Sequence, residues 1–233
     1  MSLNENPGKS YRILAKILKI FFNLLYHQFA WTYDLVAGLV SLGMWQDWIR
    51  TILPFVNRWP ALEIGYGPGH LQVALKLSNE QIFGVDASQK MGKLARRRLR
   101  RAGYNPFLVT WNAQTLPFSD DSFCCVVSTF PAEFISDPKT VSEIWRILVP
   151  GGEFYILPIA WITGNRWIER FAAWIFRFTK QSPEFQERSK VGEHSAEWTS
   201  PWLIPFKKMG FRLEVEHVHL NSSMLMVIHG VKN

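Results

Sequence analysis

The spacing of apolar residues divides the chain into a helical beginning and a long stretch in which short strands alternate with helices. Short apolar runs predict strands at 61–66, 81–86, 106–111, 123–129 and 153–158. Three- and four-residue spacing predicts helices between them at 70–78, 88–102 and 138–148. Such alternation is typical of a parallel sheet with helices on both faces.

The end of the chain follows a different pattern. Residues 211–219 and 223–231 are rich in strand-forming residues, and only Leu220, Asn221 and Ser222 separate them, so the two strands must pair antiparallel. Residues 159–200 are rich in Trp, Phe, Arg and Lys and predict a helical insertion after the fifth strand. We therefore expect an α/β fold with a Rossmann-like, doubly wound and mostly parallel sheet that finishes in an antiparallel hairpin.

Two helical segments precede the sheet, at 9–29 and about 33–56. The first has a wide apolar face and one narrow polar stripe, formed by Lys9, Arg12, Lys16, Lys19 and Asn23. That composition fits an interfacial helix on an anionic membrane, and it equally fits a lid packed over the domain's own core. We expect residues 1–56 to form an N-terminal helical lid segment and residues 57–233 to form the main domain.

Composition and charge narrow the class of protein. The 233 residues suffice for one α/β domain, and a hydrophobic fraction of 48% excludes a disordered chain. The net charge of +7 is concentrated in residues 9–19 and 90–101. In the second segment the apolar positions already supply an interior face, so the cations predict a solvated outer face, with RNA or anionic lipid as alternative partners. We expect no nucleic-acid partner.

The remaining sequence signals concern location and metal binding. The chain begins without a signal-peptide pattern, and its early apolar run is too short to span a bilayer. Cys124 and Cys125 are adjacent in an apolar strand, which predicts buried thiols rather than a disulfide scaffold. His194, His217 and His219 lack metal-ligand spacing, so we predict no metal. We expect a cytoplasmic protein with possible peripheral contact at the inner membrane surface through residues 9–29.

The strongest chemical signal is the run Leu62-Glu63-Ile64-Gly65-Tyr66-Gly67-Pro68-Gly69-His70, in which an apolar strand enters a glycine-rich turn that opens a helix. Glycines let a ligand approach the backbone closely, and a helix N-terminus favours a negative group. Asp86 ends the next strand, where a carboxylate can accept hydrogen bonds from both hydroxyls of a ribose. His70 occupies the position of the third glycine of the G-x-G-x-x-G fingerprint, which disfavours a nicotinamide dinucleotide.

Four blocks in this order resemble the class I S-adenosylmethionine-dependent methyltransferases over residues 61–158. They are the glycine run; Val85-Asp86-Ala87-Ser88 with Met91; Asn112 to Phe118 with Asp121-Ser122-Phe123; and Glu143-x-x-Arg146 through Gly152. Upstream, Phe29-Ala30-x-x-Tyr33-Asp34-Leu35 and Trp48 are similar to the lead-in of the ubiquinone and menaquinone C-methyltransferases. The segment Phe130-Pro131-Ala132-Glu133-Phe134 departs from those quinone enzymes.

The resemblance implies S-adenosylmethionine as cofactor and a small, apolar or lipid-like acceptor. The cofactor-binding residues that it implies are Glu63, Gly65, Gly67, Gly69, Asp86, Ser88, Met91, Asn112, Ala113 and Thr129. No triad-like spacing identifies a general base, and the candidates are Tyr33, Glu133 and His194. An RNA methyltransferase and a non-catalytic module that binds S-adenosylmethionine stay as alternatives, and the oligomeric state is left open.

Overall fold

The computed structural model describes residues 38, 41–77, 81–163 and 201–233. Its strands are β1 (Ala61–Ile64), β2 (Ile82–Asp86), β3 (Leu108–Thr110), β4 (Phe123–Thr129), β5 (Leu148–Ile162), β6 (Arg212–Leu220) and β7 (Ser223–Val231). They form one seven-stranded sheet in the order β3-β2-β1-β4-β5-β7-β6. The first five strands pair in parallel, and β7 pairs antiparallel with both β5 and β6.

The described helices are α1 (Trp45–Arg50), α2 (His70–Lys76), α3 (Gln89–Arg101), α4 (Pro138–Ile147) and α5 (Ile204–Met209). Short 3-10 turns occupy Leu53–Phe55, Glu133–Ser136 and Pro201–Leu203. Two helices begin at side-chain caps: the Ser88 hydroxyl accepts from the Met91 N–H, and the Asp137 carboxylate accepts from the Lys139 N–H. These caps satisfy N–H groups that the first turn of a helix leaves without a partner.

The helices cover both faces of the sheet. On one face, Trp48 of α1 and Leu71 of α2 belong to the same buried cluster as Val127 of β4. On the other face, Ile144 of α4 and Phe206 of α5 pack with Leu62 of β1. The predicted doubly wound fold is therefore confirmed, including its antiparallel hairpin.

The fifth strand differs from its prediction. It runs from Leu148 to Ile162 rather than over 153–158, so the predicted insertion at 159–200 cannot begin before 163. The extension forms because β7 continues to pair beyond a register shift between Ile156 and Ile159. At the other end, the Gly151 N–H donates to Lys232 O and the Lys232 N–H donates to Gly152 O, both at 2.9 Å. Residues 164–200 lie outside the described part of the chain.

The predicted helix over 33–56 is also corrected, within its described part. A turn occupies 41–44, where Leu42 and Gly43 have φ angles of 53° and 84°, and such left-handed residues interrupt a right-handed helix. Only Trp45–Arg50 is α-helical, and a 3-10 turn follows at Leu53–Phe55. The helix α5 was not predicted at all. Tyr33, His194 and residues 9–29 lie outside the described residues.

Candidate functional site

The candidate site lies where the strand order reverses, at the carboxyl ends of β1 and β4. From β1 the chain continues to β2 and β3 on one side, whereas β4 and β5 lie on the other. In open α/β sheets this reversal leaves a crevice in which ligands bind. The glycine loop after β1, Asp86 at the end of β2 and Thr129 at the end of β4 all reach this edge.

The three glycines of the loop have positive φ angles, of 76° at Gly65, 51° at Gly67 and 85° at Gly69. Their surroundings differ. A Cβ atom at Gly69 would lie 2.9 Å from the Ala95 Cβ, so this glycine lets α3 pack against the loop. A Cβ atom at Gly65 would lie 3.3 Å from the Phe134 ring, whereas one at Gly67 would meet nothing within 4 Å. Gly67 therefore presents bare backbone to open space, as a loop that cradles a ligand requires.

Asp86 joins the loop to the start of α3. Its Oδ2 accepts from the Gly67 N–H at 2.8 Å, and its Oδ1 accepts from the Ser88 N–H at 2.7 Å. A carboxylate has about four acceptor positions, so the backbone leaves about two of them for a ligand. Burial raises the pKa of this carboxyl group, and the two backbone hydrogen bonds oppose the rise. The geometry suits a carboxylate that binds a pair of hydroxyl groups.

Glu63 lies beneath the loop rather than on its surface. It is fully buried on β1, and the Gln72 amide donates to its Oε2 at 2.9 Å. Burial raises the pKa of Glu63 to about 8, with a smaller contribution from the charge of Asp86, and the Gln72 hydrogen bond opposes the rise. Its predicted place in the cofactor site stays a prediction.

The residues predicted to flank a nucleoside lie beside Asp86. Ser88 caps α3 with its hydroxyl, and Met91 is buried in the first turn of that helix. The backbone N–H of Trp111, which follows β3, donates to the backbone oxygen of Asp86. Asn112 is exposed and its Oδ1 accepts from the Gln114 N–H at 3.0 Å, while Ala113 is buried. This arrangement brings Asn112 and Ala113 to the same edge of the sheet as Asp86.

Aromatic side chains border the end of β4. The Phe130 ring lies 4.5 Å from the Trp45 ring and 6.1 Å from the Trp48 ring, measured between centroids. We call these three residues the aromatic wall. Thr129 is half-buried at the last position of β4, and Glu133 is exposed in the 3-10 turn that follows. The structure therefore places the catalytic candidate Glu133 near this edge.

Sequence reasoning missed the contribution of α1 to the site. Gln46 of α1 donates from its amide nitrogen to His70 Nδ1, at 2.7 Å, and His70 directly follows the glycine loop. The neighbouring Trp45 belongs to the aromatic wall. One short helix thus contacts both the first residue of α2, directly after the glycine loop, and the first residue after β4. The three-residue spacing of Trp45 and Trp48 was the available signal, but a helix predicted continuously over 33–56 did not show which side would face the sheet.

The cationic helix α3 has an exposed groove of about 420 Å³, lined by Lys93, Arg96, Arg97, Arg100 and Arg101. Arg96 Nη2 donates to Leu108 O at 3.1 Å, so part of this charge holds the helix to β3. The helix starts at the site edge and carries these cations away from it. A solvated face stays the simplest interpretation.

The structure also describes the two cysteines and the histidine His217 that the sequence analysis considered. Both cysteines are free thiols, but only Cys125 is buried as predicted, and burial raises its pKa, whereas Cys124 is half-buried. Desolvation, followed by the charge of His219, lowers the pKa of His217. Within the described ranges, three or more His, Cys, Asp or Glu side chains nowhere cluster as metal ligands would, and no helix is long and apolar enough to cross a bilayer.

Residues 62–156 match the family model for a methyltransferase domain. A demethylmenaquinone methyltransferase of Symbiobacterium thermophilum is 31% identical over 142 residues, which make up 57% of this chain and 57% of that protein. A demethylmenaquinone methyltransferase of Clavibacter sepedonicus is 28% identical over 215 residues, or 86% of this chain and 85% of that protein. The crystal structure of YcgJ from Bacillus subtilis has a TM-score of 0.56 and 20% identity, and covers 80% of this chain and 98% of that one.

The match therefore covers part of the relatives rather than their whole length: the chain spans about 57% of the length of several curated relatives. Within that part, the predicted resemblance to class I methyltransferases is confirmed, as is S-adenosylmethionine as the cofactor of that class.

Proposed function

We propose that this chain, whose residues 62–156 form a class I methyltransferase domain, transfers the methyl group of S-adenosylmethionine to a small apolar or lipid-like acceptor. The first candidate acceptor is the ring of a quinol. Relatives named demethylmenaquinone methyltransferase and ubiquinone/menaquinone biosynthesis C-methyltransferase support that choice. The aromatic wall beside the end of β4 supports it independently, because aromatic rings pack favourably against one another.

One observation carries the cofactor part of the proposal. The Asp86 carboxylate is fixed by two backbone N–H groups and retains about two acceptor positions, next to the open backbone of Gly67. The residues present therefore fit the cofactor: Asp86 would hold the ribose hydroxyls, and the open backbone at Gly67 would leave room for the methionine part, whereas the Phe134 ring lies against Gly65. Ser88, Met91, Asn112 and Ala113 would border the adenine.

Methyl transfer requires mainly that the protein align the methyl donor with the acceptor. When bound, S-adenosylmethionine supplies a methyl group that its sulfonium charge already activates. A carbon of the reduced quinol ring would take up this methyl group, and the sulfur would keep the electron pair of the broken bond. The ring carbon then loses its proton. The chain's own contribution is to hold the two reactants in line and to exclude water, as the aromatic wall and Thr129 would at the end of β4.

The proton that leaves the ring carbon needs an acceptor near the end of β4. Glu133 is exposed close to the end of β4, so a carboxylate is within the region where the acceptor would bind. Tyr33 and His194 stay candidates on sequence grounds alone. Replacing Glu133 with Gln removes the base and keeps the shape of the side chain. If Glu133 takes the proton, kcat falls while the affinity for the cofactor is unchanged.

The direct test uses 1,4-naphthohydroquinone as the acceptor probe and S-adenosylmethionine with a deuterated methyl group. We expect the wild-type protein to form ring-methylated naphthohydroquinone that carries the label, detected by mass spectrometry, and the Asp86→Ala variant to form much less. Formation of S-adenosylhomocysteine without label in the ring would show a different acceptor. If neither product forms with this probe or with cell extract, a non-catalytic binding module replaces the proposal.

A second proposal concerns the approach of a lipid-like acceptor. The polar stripe of residues 9–29 carries only Lys and Arg charges, and each cation near an anionic surface adds about 1 kcal/mol to binding. We propose that this segment brings the protein to anionic membranes. Co-sedimentation with anionic vesicles at low salt should therefore exceed that with neutral vesicles, and deletion of residues 1–29 should remove the difference. Equal sedimentation of the full chain with both would contradict it.

A further inference from the structure

Phe130 has an unusual backbone conformation for its type. Its φ angle is 47°, and among the described residues only Leu42 and Asp121 share a positive φ without being glycine. Aspartate tolerates this left-handed region because its short polar side chain can bond locally, and Leu42 lies in an exposed turn next to Gly43. Phenylalanine has no short polar side chain that could bond locally and compensate for this conformation. Strained conformations of this kind concentrate at functional sites, where surrounding contacts hold them.

The contacts that hold Phe130 come from two sides. Its N–H donates to Leu157 O at 2.7 Å, which continues the pairing of β4 with β5 past the last strand residue. Its ring packs against the Trp45 ring at an interplanar angle of 31°. Trp48 supports both rings from below, because it is 1% exposed and its indole N–H donates to Ser223 Oγ at 2.8 Å. The aromatic wall is therefore anchored to β7 at its base and half-buried at Trp45 and Phe130.

The left-handed conformation of Phe130 determines where its ring lies. Phe130 directly follows Thr129, at the carboxyl end of the strand beside β1, and the Phe134 ring lies 3.3 Å from the Cβ position of Gly65. The left-handed turn at Phe130 thus directs the chain out of the sheet next to the glycine loop. An ordinary extended residue at this position would continue the strand direction. The residue with this left-handed conformation is therefore the one whose ring packs against Trp45 of α1.

We propose that Phe130 is a positioning residue whose ring, backed by Trp45, packs against a planar aromatic acceptor and aligns it for methyl transfer. The inference rests on the proposed function for its reaction but assigns a role that the cofactor-binding residues cannot fill. A half-buried ring beside an anchored neighbour suits this task, because offset stacking fixes the plane of the bound ring and the supporting side chains prevent the Phe130 ring from turning away.

The test compares Phe130→Gly with Phe130→Tyr and with Asp121→Gly. Glycine relieves the positive φ and removes the ring, whereas tyrosine keeps both the ring and the strain. Asp121 has a φ of 49° just before β4, at the opposite end of that strand, so Asp121→Gly places a glycine at a left-handed position away from the site, and it also removes the ion pair with Lys232 Nζ. The readouts are KM and kcat for 1,4-naphthohydroquinone, the affinity for 2,3-dimethyl-1,4-naphthoquinone, which has no free position to methylate, and the affinity for S-adenosylmethionine.

We expect Phe130→Gly to raise KM and weaken binding of the dimethyl analogue by about tenfold, with the affinity for S-adenosylmethionine unchanged. Phe130→Tyr and Asp121→Gly should resemble the wild type. If Phe130→Gly methylates and binds like the wild type, the inference is wrong and the proposed function stands. If the wild type binds the analogue but methylates nothing, the proposed quinol acceptor fails and the binding of Phe130→Gly alone decides the inference. If the wild type does neither, both are wrong.

Discussion

The glycine loop with Asp86 and the segment around Arg146 both belong to the pattern shared with class I methyltransferases, yet their polar groups are used in opposite ways. Arg146 donates to Glu143, Asp120, Phe118 O and Leu116 O at 2.7–3.0 Å. Its partner Glu143 also accepts from the Leu116 N–H at 2.6 Å. The Arg146 N–H groups of this network donate to acceptors within the protein, whereas Asp86 keeps acceptor positions available beside the open backbone of Gly67.

The pKa values follow the same division. The hydrogen bond from Arg146 lowers the pKa of Glu143, because it stabilises the charged form. Burial raises the pKa of Asp86, and two backbone donors compensate only partly. A motif that is fully paired internally stabilises the fold, and one that is buried but incompletely paired is prepared for a ligand. We therefore expect substitutions in the two regions to separate stability from cofactor binding.

The largest effect should come from Gly67→Val. At a φ of 51° and with open space around the Cβ position, valine strains the loop and its branched side chain occupies the volume that the ligand needs. We expect calorimetry to detect no binding of S-adenosylmethionine while the circular dichroism spectrum stays that of a folded protein. Gly103→Val is the matched control, since Gly103 has a φ of 84°, an equally open Cβ position and a place in the turn after α3. Normal binding by Gly67→Val would mean that the loop does not cradle the cofactor.

Asp86→Ala should weaken cofactor binding at least about tenfold. The substitution removes two charge-assisted hydrogen bonds to the ribose, each worth about 1.5–3 kcal/mol. The loop also loses the acceptor of the Gly67 N–H, so the free protein should be slightly less stable. Isothermal titration with S-adenosylmethionine measures the affinity, and chemical denaturation measures the stability. An unchanged affinity would remove Asp86 from the site.

Arg146→Met should show the reverse behaviour. Methionine keeps much of the apolar stem but leaves two backbone carbonyl groups without this donor and removes the guanidinium from Glu143, which keeps the Leu116 N–H. We therefore expect a loss of about 2 kcal/mol in the free energy of unfolding. The affinity for S-adenosylmethionine should change less than about twofold, because the network does not reach the site. A large loss of affinity in a folded variant would erase the proposed difference between the two regions.

The last prediction concerns Glu63, whose effect appears in stability alone and depends on pH. Its pKa is about 8 in the folded chain against an ordinary 4.5, so folding takes up a proton between these values. The stability from this group is complete below pH 4.5 and is lost as the pH rises through 8, at most about 1.4 kcal/mol per pH unit. Glu63→Gln keeps an acceptor for Gln72 and cannot titrate. Urea denaturation between pH 5.5 and 7.5 should show a falling stability for the wild type and a flatter profile for the variant.

The sequence alone predicts the regions whose local pattern and final contacts agree. The strands β4 and β7 begin and end as predicted, because each is centred on a continuous apolar run, Phe123–Val127 and Met224–Ile228. The start of β5 was missed because Pro150, Gly151 and Gly152 have the composition of a turn, and only their pairing with Lys232 makes them part of a strand. That pairing joins residues about eighty positions apart, which no local pattern shows.

Part of the candidate site could also be predicted from the sequence. Gly67 and Asp86 could be named because glycine and a strand-end carboxylate have few other reasons to occur in that order. The left-handed conformation of Phe130 could not be predicted, since nothing in Thr129-Phe130-Pro131 favours a positive φ. The contact of Gln46 with His70 was equally hidden, because it depends on how α1 packs against the sheet.

The central claim is that the glycine loop and Asp86 bind S-adenosylmethionine, and that the protein transfers its methyl group to an apolar acceptor. The most direct measurement is mass spectrometry of cell extract incubated with S-adenosylmethionine that carries a deuterated methyl group, with the wild-type protein or Asp86→Ala, followed by separation into lipid and aqueous fractions. We predict a labelled species in the lipid fraction that depends on the wild-type protein and is strongly reduced with Asp86→Ala. Label confined to the aqueous fraction, or equal labelling by both proteins, would contradict the account.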